Sequence, residues 1–568
     1  MPFDERTDWV DTPSPLPPPG STPVYAADIM RWERGIAEAH EELDGRLSEA
    51  DLNATYAPVS VASTKLDRTA LRSLRPQSPI PGVPISTEGY ATASSSLSLK
   101  TQAGTSKVPH TIGFDASDLR MVIHNWDFEL GSTYTDVDAA TDLPVRAAFL
   151  VGGAVYPVTF RGSRDATVAP GGYVVSDPLG VEVTQGDVIY TLIYTSATSW
   201  QPNRASYTSS NSGGFAADVD ATSTGSTPPT NGASTLLAPA VVTGVPVATN
   251  QRSVATVGDS ITAGAGDGFN GTAHVGALDA LPRGGGGWLA RAFRGKTGTV
   301  QIAQPGDRAA QFAQVAKHFR RAGLLTAATD SVSAYGINDL TDQVGATAVK
   351  QALIDSWRVQ SKRGLRVWQP TLVPYSTSTD LWLTVANQSP FSQATARVEV
   401  NNWIRDGAPM TTAFAPAAIG AGGSTLRAGS PGHPLHAWFE MADSVESARN
   451  SGVWRGPLRV ITDAEMTAGS RVITSSSANF SNSTDLYQAV VITGAGASGA
   501  PLAGFIGAVL SATQVNLSTA ANVALNASTS VTGATLGIGV MTNDGLHPNA
   551  SAAALMAATV PVNSILSD

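Results

Sequence analysis

The chain has 568 residues, and 42% of them are hydrophobic, which is enough apolar material for several packed domains. It carries 36 Lys and Arg against 46 Asp and Glu, a formal net charge of −10 at pH 7. Such a chain lacks the cationic surface that phosphate backbones select for, so we do not expect nucleic-acid binding. Cysteine is absent, which excludes disulfides, thiolate metal sites and cysteine nucleophiles.

The N-terminal residues predict an extended arm followed by a helix. Residues 13–19 are rich in Pro, which favours extended chain. Ile29, Ile36 and Leu43 then recur every seven residues, a spacing typical of a short coiled coil or of one amphipathic helix packed on its own chain. We assign residues 1–50 to this arm and heptad helix, and leave open whether the helix forms a coiled coil between copies or packs on its own chain.

Neither a targeting segment nor a membrane span is expected from the sequence. The N-terminus has no basic stretch followed by an apolar one, so no signal peptide is predicted. No run of about 18 apolar residues occurs, so no membrane-spanning helix is predicted.

Two regions of different composition follow the helix. Residues 51–110 are rich in Ser and Thr and contain several Pro, so we interpret them as a connector with little core of its own. Residues 111–250 predict a β-sandwich, a candidate glycan-binding module, because short strands alternate with Gly-, Pro- and Asp-containing turns. The predicted strands are 121–126, 145–151, 155–160, 172–176 and 188–194, with a last one near 236–248.

From residue 251 to 455, short apolar strands alternate with longer helical patterns. This alternation predicts a parallel sheet covered by helices on both faces, with its site at the carboxyl ends of the strands. The predicted strands are 253–259, 299–303, 331–336 and 365–372, and the predicted helices are 288–295, 308–323, 348–364 and 393–407. Residues 456–540 break the pattern and predict an inserted β-module, and 541–568 return to the α/β domain with a helix over 551–566.

Polar residues follow several of these strands and point to one site. Ser260, in Gly258-Asp259-Ser260, lies at a tight turn where we expect it to be exposed. Asp544 and His547 stand three residues apart before the last helix. The Asp can bind one imidazole nitrogen while the other takes the Ser proton. Taken singly, each segment is also typical of a turn, a helix cap or half of a metal site.

Four segments together resemble the SGNH (GDSL-type) family of serine esterases. They are Gly258-Asp259-Ser260, Gly306, Gly336-x-Asn338-Asp339 and Asp544-x-x-His547, in the order that the family has. The resemblance implies a three-layer α/β/α domain with a flavodoxin-like parallel sheet. It implies Ser260 as nucleophile, His547 as general base and Asp544 as the residue that orients it. The backbone N–H groups of Ser260 and Gly306 and the Asn338 side chain would form the oxyanion hole.

The same resemblance implies no cofactor and no metal ion. One departure concerns Gln304, because many relatives have Asn before the Gly of the second segment. As an alternative, His433 and His436 are spaced like metal ligands, although no carboxylate is adjacent to them.

The flanking regions are similar to parts of tail proteins from phages of actinobacteria. Residues 25–37 resemble their N-terminal helix, residues 491–496 resemble a small β-module of such proteins, and the β-rich region is similar to a sandwich that precedes some actinobacterial SGNH esterases. The resemblance implies a minor tail protein in the virion, in contact with other tail proteins and forming a homotrimer.

These observations give three hypotheses. The first is a phage tail serine esterase that hydrolyses O-acetyl or acyl esters of host cell-envelope polysaccharide or lipid. The second is a structural or receptor-binding tail subunit with an idle SGNH domain. The third is a free actinobacterial SGNH esterase.

Overall fold

The computed structural model describes residues 80–87, 99–128, 135–200, 204–205, 213–229, 235–267, 287–342, 345–519 and 523–567. The predicted heptad helix and most of the predicted connector lie outside these residues. Among the residues described, no helix is long and apolar enough to cross a membrane.

The region between residues 80 and 246 consists of short strands. They are β1 (Val83–Pro84), β2 (Gly104–Thr111), β3 (Ala116–His124), β4 (Trp126–Phe128), β5 (Asp136–Asp138), β6 (Leu143–Val151), β7 (Ala154–Pro157), β8 (Ala166–Val168), β9 (Tyr173–Val175), β10 (Val188–Thr195), β11 (Arg204–Ala205), β12 (Gly214–Ala217), β13 (Thr235–Leu236) and β14 (Val241–Pro246). One sheet has the order β1-β14-β3-β9, and a second has the order β12-β2-β10-β6-β7 with β8 paired to β6. Met121 of the first sheet and Phe149 of the second are fully buried in one shared core, so the region is a β-sandwich.

The sandwich begins earlier than the sequence predicted. Strand β2 lies between β10 and β12, although it falls in the residues interpreted as a connector. Its composition is polar, but its polar side chains are buried and hydrogen-bonded. Thr105 Oγ1 donates to the Val219 carbonyl at 2.6 Å, and Ser106 Oγ accepts the Leu237 N–H at 2.9 Å. A buried strand rich in hydrogen-bonded polar side chains does not show the apolar pattern on which the prediction relied.

The α/β domain contains a five-stranded parallel sheet. Its strands are β15 (Val254–Gly258), β16 (Thr299–Gln301), β17 (Asp330–Ala334), β18 (Arg366–Pro370) and β21 (Leu435–Phe439), in the order β16-β15-β17-β18-β21. A separate hairpin pairs β19 (Ser376–Ser378) with β20 (Gln388–Pro390). In β18, Val367 enters one apolar core and Trp368 enters the other. Because successive side chains of a strand face opposite ways, both faces of the sheet are covered.

Helices supply both of these covering layers. They are α1 (Gly287–Phe293), α2 (Ala309–Phe312), α3 (Val315–Leu324), α4 (Ile337–Thr341), α5 (Gly345–Ser361), α6 (Ala394–Arg405), α7 (Ala442–Val445), α8 (Ala550–Thr559) and α9 (Val562–Leu566). Helices α5 and α6 contribute to one core, and α1 and α8 to the other. The single helix predicted over 308–323 is two helices, and the single helix over 551–566 is also two, with Pro561 between them.

The insertion is a closed β-barrel. Its strands are β22 (Arg459–Met466), β23 (Val472–Thr474), β24 (Ala489–Ile492), β25 (Leu502–Ser511), β26 (Gln514–Ser518) and β27 (Val531–Ile538). They close in the order β22-β23-β26-β25-β24-β27. The first and last strands pair with each other, so the chain enters and leaves the barrel side by side. This arrangement lets the barrel interrupt the α/β domain without separating the elements on either side of it.

Candidate active site

Ser260 lies just beyond the carboxyl end of β15, at the edge of the sheet where the sequence predicted a site. Its Oγ is 2.8 Å from His547 Nε2, across 287 residues of chain. Ser260 is 8% exposed, so the expectation of an exposed Ser is wrong. Residues 260–266 form successive turns, in which the Ala265 N–H donates to the Ser260 carbonyl at 2.8 Å. The hydroxyl therefore has a fixed partner and little contact with solvent.

His547 is held in turn by Asp544. The ring Nδ1 is 2.6 Å from Asp544 Oδ2, and Asp544 Oδ1 accepts the backbone N–H groups of Leu546 at 2.9 Å and His547 at 2.8 Å. Partial burial would raise the pKa of Asp544, but the hydrogen bonds from the His547 ring and backbone outweigh it and lower that pKa to about 2. The carboxylate is thus ionised at neutral pH and can only accept hydrogen bonds.

This protonation state fixes the direction of the hydrogen-bond chain. Because Asp544 only accepts, the neutral imidazole of His547 carries its hydrogen on Nδ1 and leaves Nε2 as the acceptor for Ser260. The arrangement can transfer the hydroxyl proton to the ring while the negative carboxylate stabilises the imidazolium that results.

The loop that carries Asp544 and His547 is anchored at Gly545. The Gly545 carbonyl accepts the Trp454 indole N–H at 2.7 Å, and the Ser376 backbone N–H donates to it at 3.1 Å. Gly545 has a φ of +84°, and a Cβ here would lie 1.8 Å from the Ser376 carbonyl oxygen. Only glycine fits this close approach, and the anchor sets the position from which His547 reaches Ser260.

Gly306 and Asn338 are brought together by a second turn. Gln304 to Asp307 form a type II turn, closed by the Asp307 N–H on the Gln304 carbonyl at 3.2 Å, with Gly306 at a φ of +80°. The Asn338 Nδ2 group donates to the Asp307 carbonyl at 3.1 Å. The Gln304 N–H donates to the Gly258 carbonyl at 2.9 Å, which ties the turn to the strand that precedes Ser260.

Two backbone donors at these turns remain available. Among the residues that the structure describes, neither the Ser260 N–H nor the Gly306 N–H donates to a protein acceptor. In a type II turn the N–H of the third residue takes no part in closing the turn. Unpaired N–H groups beside a nucleophile can bind an oxygen that becomes negative during a reaction.

Two acidic residues lie within the four segments that resemble the esterase family, but the sequence assigned them no role. Asp259 is 1% exposed, and burial raises its pKa to about 7. Its Oδ1 accepts the Ile261 N–H at 2.9 Å, which shapes the turn after Ser260. The Asp339 carboxylate accepts the N–H groups of Ala309 and Ala310, both at 3.0 Å, and so fixes the start of α2. Asp259 and Asp339 directly adjoin the predicted site residues Ser260 and Asn338, and this adjacency in the sequence could have identified them.

The structure gives no support to the metal alternative at His433. Its Nε2 is 2.9 Å from the Ala408 carbonyl oxygen, and its Nδ1 accepts the Leu435 N–H at 3.0 Å, so the backbone occupies both ring nitrogens. His436 packs edge-on against Trp368. Over the described part of the chain, no group of three or more His, Asp or Glu is arranged to hold a metal ion.

Comparison with known proteins gives partial structural likenesses. No protein-family model matches the sequence, and no curated protein matches it. A Bacteroides fragilis structure described as an acylhydrolase is similar at 12% identity, over 56% of this chain and 90% of that one, with a TM-score of 0.25. A family two carbohydrate esterase from Clostridium thermocellum is similar at 12% identity, over 57% of this chain and 86% of that one, with a TM-score of 0.23.

A third similar structure is an acetyl xylan esterase from Butyrivibrio proteoclasticus. It shares 15% identity over 52% of this chain and 79% of that one, with a TM-score of 0.18. These structures are acylhydrolases and carbohydrate esterases, but likenesses this weak decide nothing about the chemistry of this chain. The chemical interpretation of the site rests on the hydrogen-bond chain from Ser260 through His547 to Asp544.

Proposed function

We propose that this protein is a serine ester hydrolase. The observation that carries the proposal is the continuous chain from Ser260 Oγ to His547 Nε2 at 2.8 Å and from His547 Nδ1 to Asp544 Oδ2 at 2.6 Å. Its distances lie within the range expected between a nucleophile and its base. A subunit without catalytic activity would have no physical reason to hold Ser260, Asp544 and His547 at these hydrogen-bond distances, since they come from two distant segments.

In the proposed reaction, His547 takes the hydroxyl proton as Ser260 Oγ attacks the ester carbonyl carbon. The carbonyl oxygen becomes negative in the tetrahedral intermediate. The intermediate then expels the alcohol, which receives the proton from His547, and an acyl group remains on Ser260. Water, activated by the same imidazole, hydrolyses this acyl-enzyme and restores the site.

The negative oxygen requires donors that are already in place. We assign this role to the Ser260 and Gly306 backbone N–H groups and to Asn338 Nδ2, whose second hydrogen is not used by its bond to Asp307. Removing one such donor typically costs about 10²–10³ in kcat. Three donors aimed at one oxygen would therefore supply a large part of the rate acceleration.

The first prediction concerns the nucleophile. Ser260→Ala should lower hydrolysis of p-nitrophenyl acetate by at least about 10³-fold, because the proposed acyl intermediate forms on this hydroxyl. A fluorophosphonate probe should label the wild type at Ser260, shown by peptide mass spectrometry, and should fail to label the variant.

The matched control is Ser163→Ala, at an exposed Ser on the sandwich. This variant should keep both the wild-type rate and the label. Wild-type activity in Ser260→Ala, with an unchanged circular dichroism spectrum, would remove Ser260 from the mechanism.

We further propose that the enzyme acts from a phage tail on O-acetyl or acyl esters of a host cell-envelope polysaccharide or lipid. Support for this location is the sequence resemblance of residues 25–37 and 491–496 to tail proteins. Immunodetection in purified virions separates the tail protein from a free esterase. Rates across acyl chains of increasing length distinguish an acetyl glycan substrate from a lipid one.

A further inference from the structure

A buried network connects the turn that carries Gly306 to the β-sandwich. The Asp307 carboxylate is fully buried, and its Oδ2 accepts the Tyr335 hydroxyl at 2.7 Å and Arg321 Nη1 at 3.0 Å. Its Oδ1 accepts the Arg308 N–H at 2.9 Å. Three contacts from three directions fix this side chain, and its own carbonyl receives Asn338 Nδ2. The orientation of Asp307 therefore governs both Gly306 and Asn338.

The other side of Arg321 is held by a residue from outside the α/β domain. Asp136 is in strand β5, which pairs with β4 in a ribbon that continues sandwich strand β3. Arg321 Nε donates to Asp136 Oδ1 at 2.8 Å, and the Arg321 backbone N–H donates to Asp136 Oδ2 at 3.0 Å. Both side chains are fully buried. Asp136 thus binds both the side chain and the backbone of Arg321.

The charges in this network make it rigid. One guanidinium stands between two buried carboxylates, so the loss of either carboxylate leaves buried donors of Arg321 without that acceptor. Burial raises the pKa of Asp136, but the nearby Arg321 and His318 outweigh that effect and hold the pKa below its ordinary value. Asp136 is therefore ionised at neutral pH and keeps Arg321 directed at Asp307.

We infer that Asp136 is a positioning residue for the oxyanion hole, acting through Arg321 and Asp307 on Gly306 and Asn338. The β-sandwich is then a structural part of the catalytic site as well as a candidate binding module. This inference rests on the proposed esterase function, because the turn has no catalytic role without it.

The same two elements provide a matched control. Asp138, two residues further along β5, pairs with Arg320, the neighbour of Arg321 in α3. The Asp138 side chain is half exposed, whereas the Asp136 side chain is fully buried. The Asp138 pair therefore joins the same ribbon to the same helix, whereas the donor to Asp307 is Arg321. If activity depends only on docking of the ribbon against the helix, loss of either pair should lower it. If it depends on the oxyanion hole, only loss of the Asp136–Arg321 pair should do so.

The experiment compares Asp136→Asn and Asp138→Asn in the full chain, with p-nitrophenyl acetate as substrate. Active sites are counted by complete labelling with a fluorophosphonate, so misfolded protein does not enter the rate. Asp136→Asn should lower kcat per active site by about 10–100-fold and leave KM within about twofold, since a displacement of about 1 Å can cost 10²-fold. A boronic acid, whose adduct with Ser260 carries a negative oxygen, should bind this variant more weakly by a similar factor. Asp138→Asn should match the wild type in all three measurements.

Tyr335→Phe provides a second variant in case Asp136→Asn does not fold. It removes one of the two side-chain donors to Asp307 Oδ2 from inside the α/β domain, and should shift kcat and boronic-acid affinity in the same direction by about 3–10-fold. If the wild type is active and the two variants Asp136→Asn and Asp138→Asn have equal kcat per active site, the inference about Asp136 is overturned, while the proposed function stands. A wild type without activity that depends on Ser260 would overturn the proposed function itself.

Discussion

At the scale of single residues, the carboxyl group next to Ser260 has a strongly raised pKa. Asp259 is buried, its Oδ1 binds the Ile261 N–H, and in the described part of the protein no hydrogen-bond partner reaches its Oδ2. Burial raises its pKa from 3.8 to about 7. The folded protein therefore binds a proton at this residue between about pH 4 and pH 7, whereas the unfolded chain does not.

This difference in proton binding predicts how stability depends on pH. Since the folded state holds the extra proton, the Asp259 contribution is complete below the unfolded pKa and is lost as pH rises through about 7. Three pKa units correspond to at most about 4 kcal/mol. Asp259→Asn, which stays neutral and can keep the bond to Ile261, should remove this dependence and raise the free energy of unfolding at pH 7.5 relative to wild type.

The measurement is urea unfolding at pH 4.5 and at pH 7.5. Asp127 is a matched site in the ribbon, because burial raises its pKa to about 7 as well and its Oδ1 accepts the Phe128 N–H at 2.8 Å. Asp127→Asn should flatten the same pH dependence without changing the site near Ser260. The explanation would be refuted if the pH dependence of both variants equalled that of the wild type.

At the scale of elements, segments far apart in the chain hold in place the loop that carries Asp544 and His547. Trp454 lies in the segment between α7 and β22, and its indole N–H is one of two donors to the Gly545 carbonyl. Gln388 accepts the Trp454 N–H at 2.9 Å and belongs to the hairpin that also carries Ser376. The hairpin and the entry to the barrel therefore restrain the loop that bears His547 from one side.

Removal of this donor should loosen the loop. Trp454→Phe keeps most of the buried ring but leaves the Gly545 carbonyl with one donor, and we expect kcat to fall by about 10-fold as His547 loses its exact distance to Ser260. Trp403→Phe is the control, because Trp403 is equally buried and also donates to a backbone carbonyl, that of Pro409 at 2.9 Å. Steady-state kinetics should show the loss only in the first variant, and equal kcat values would argue against the restraint.

Elements with an apolar or strongly periodic pattern were predictable, and others were not. The buried strands β15 and β17 and helix α5 lie within a few residues of their predicted positions because each has the expected periodicity. Strand β21 at the edge of the sheet was missed, since its three middle residues are only partly buried and include His436. Strand β27 of the barrel has a weak pattern, because two Gly and two Thr interrupt it.

At the scale of the whole molecule, the sequence predicted short local motifs but not the contacts between residues that are far apart in the chain. Ser260, Asp544 and His547 stand in short segments whose residue types indicate the chemistry proposed for them. Asp136 and Arg321 are separated by 185 residues, and no spacing in the sequence relates a sandwich strand to a helix of another domain. A buried ion pair of this kind is visible only once the fold brings the two elements together.

The proposed homotrimer is also a property of the whole molecule, although residues 24–48 lie outside those described. If Ile29, Ile36 and Leu43 form a seam between three copies, each side chain buried contributes about 1.5–3 kcal/mol. Light scattering of the full chain at micromolar concentration should then give a trimer. Ile36→Lys should dissociate it, whereas Glu38→Lys, which adds a positive charge off the seam, should not. A wild-type monomer would contradict the trimer and favour a helix that docks on another protein.

The 287 residues between Ser260 and His547 also set the order of events during synthesis. A ribosome adds about 5–20 residues per second, so Ser260 is synthesised roughly 15–60 s before His547. During that interval the barrel, whose first and last strands pair with each other, has all the residues it needs to fold. A nascent chain interrupted anywhere in the insertion carries Ser260 without His547. In the proposed mechanism, ester hydrolysis would therefore begin only after translation has passed His547.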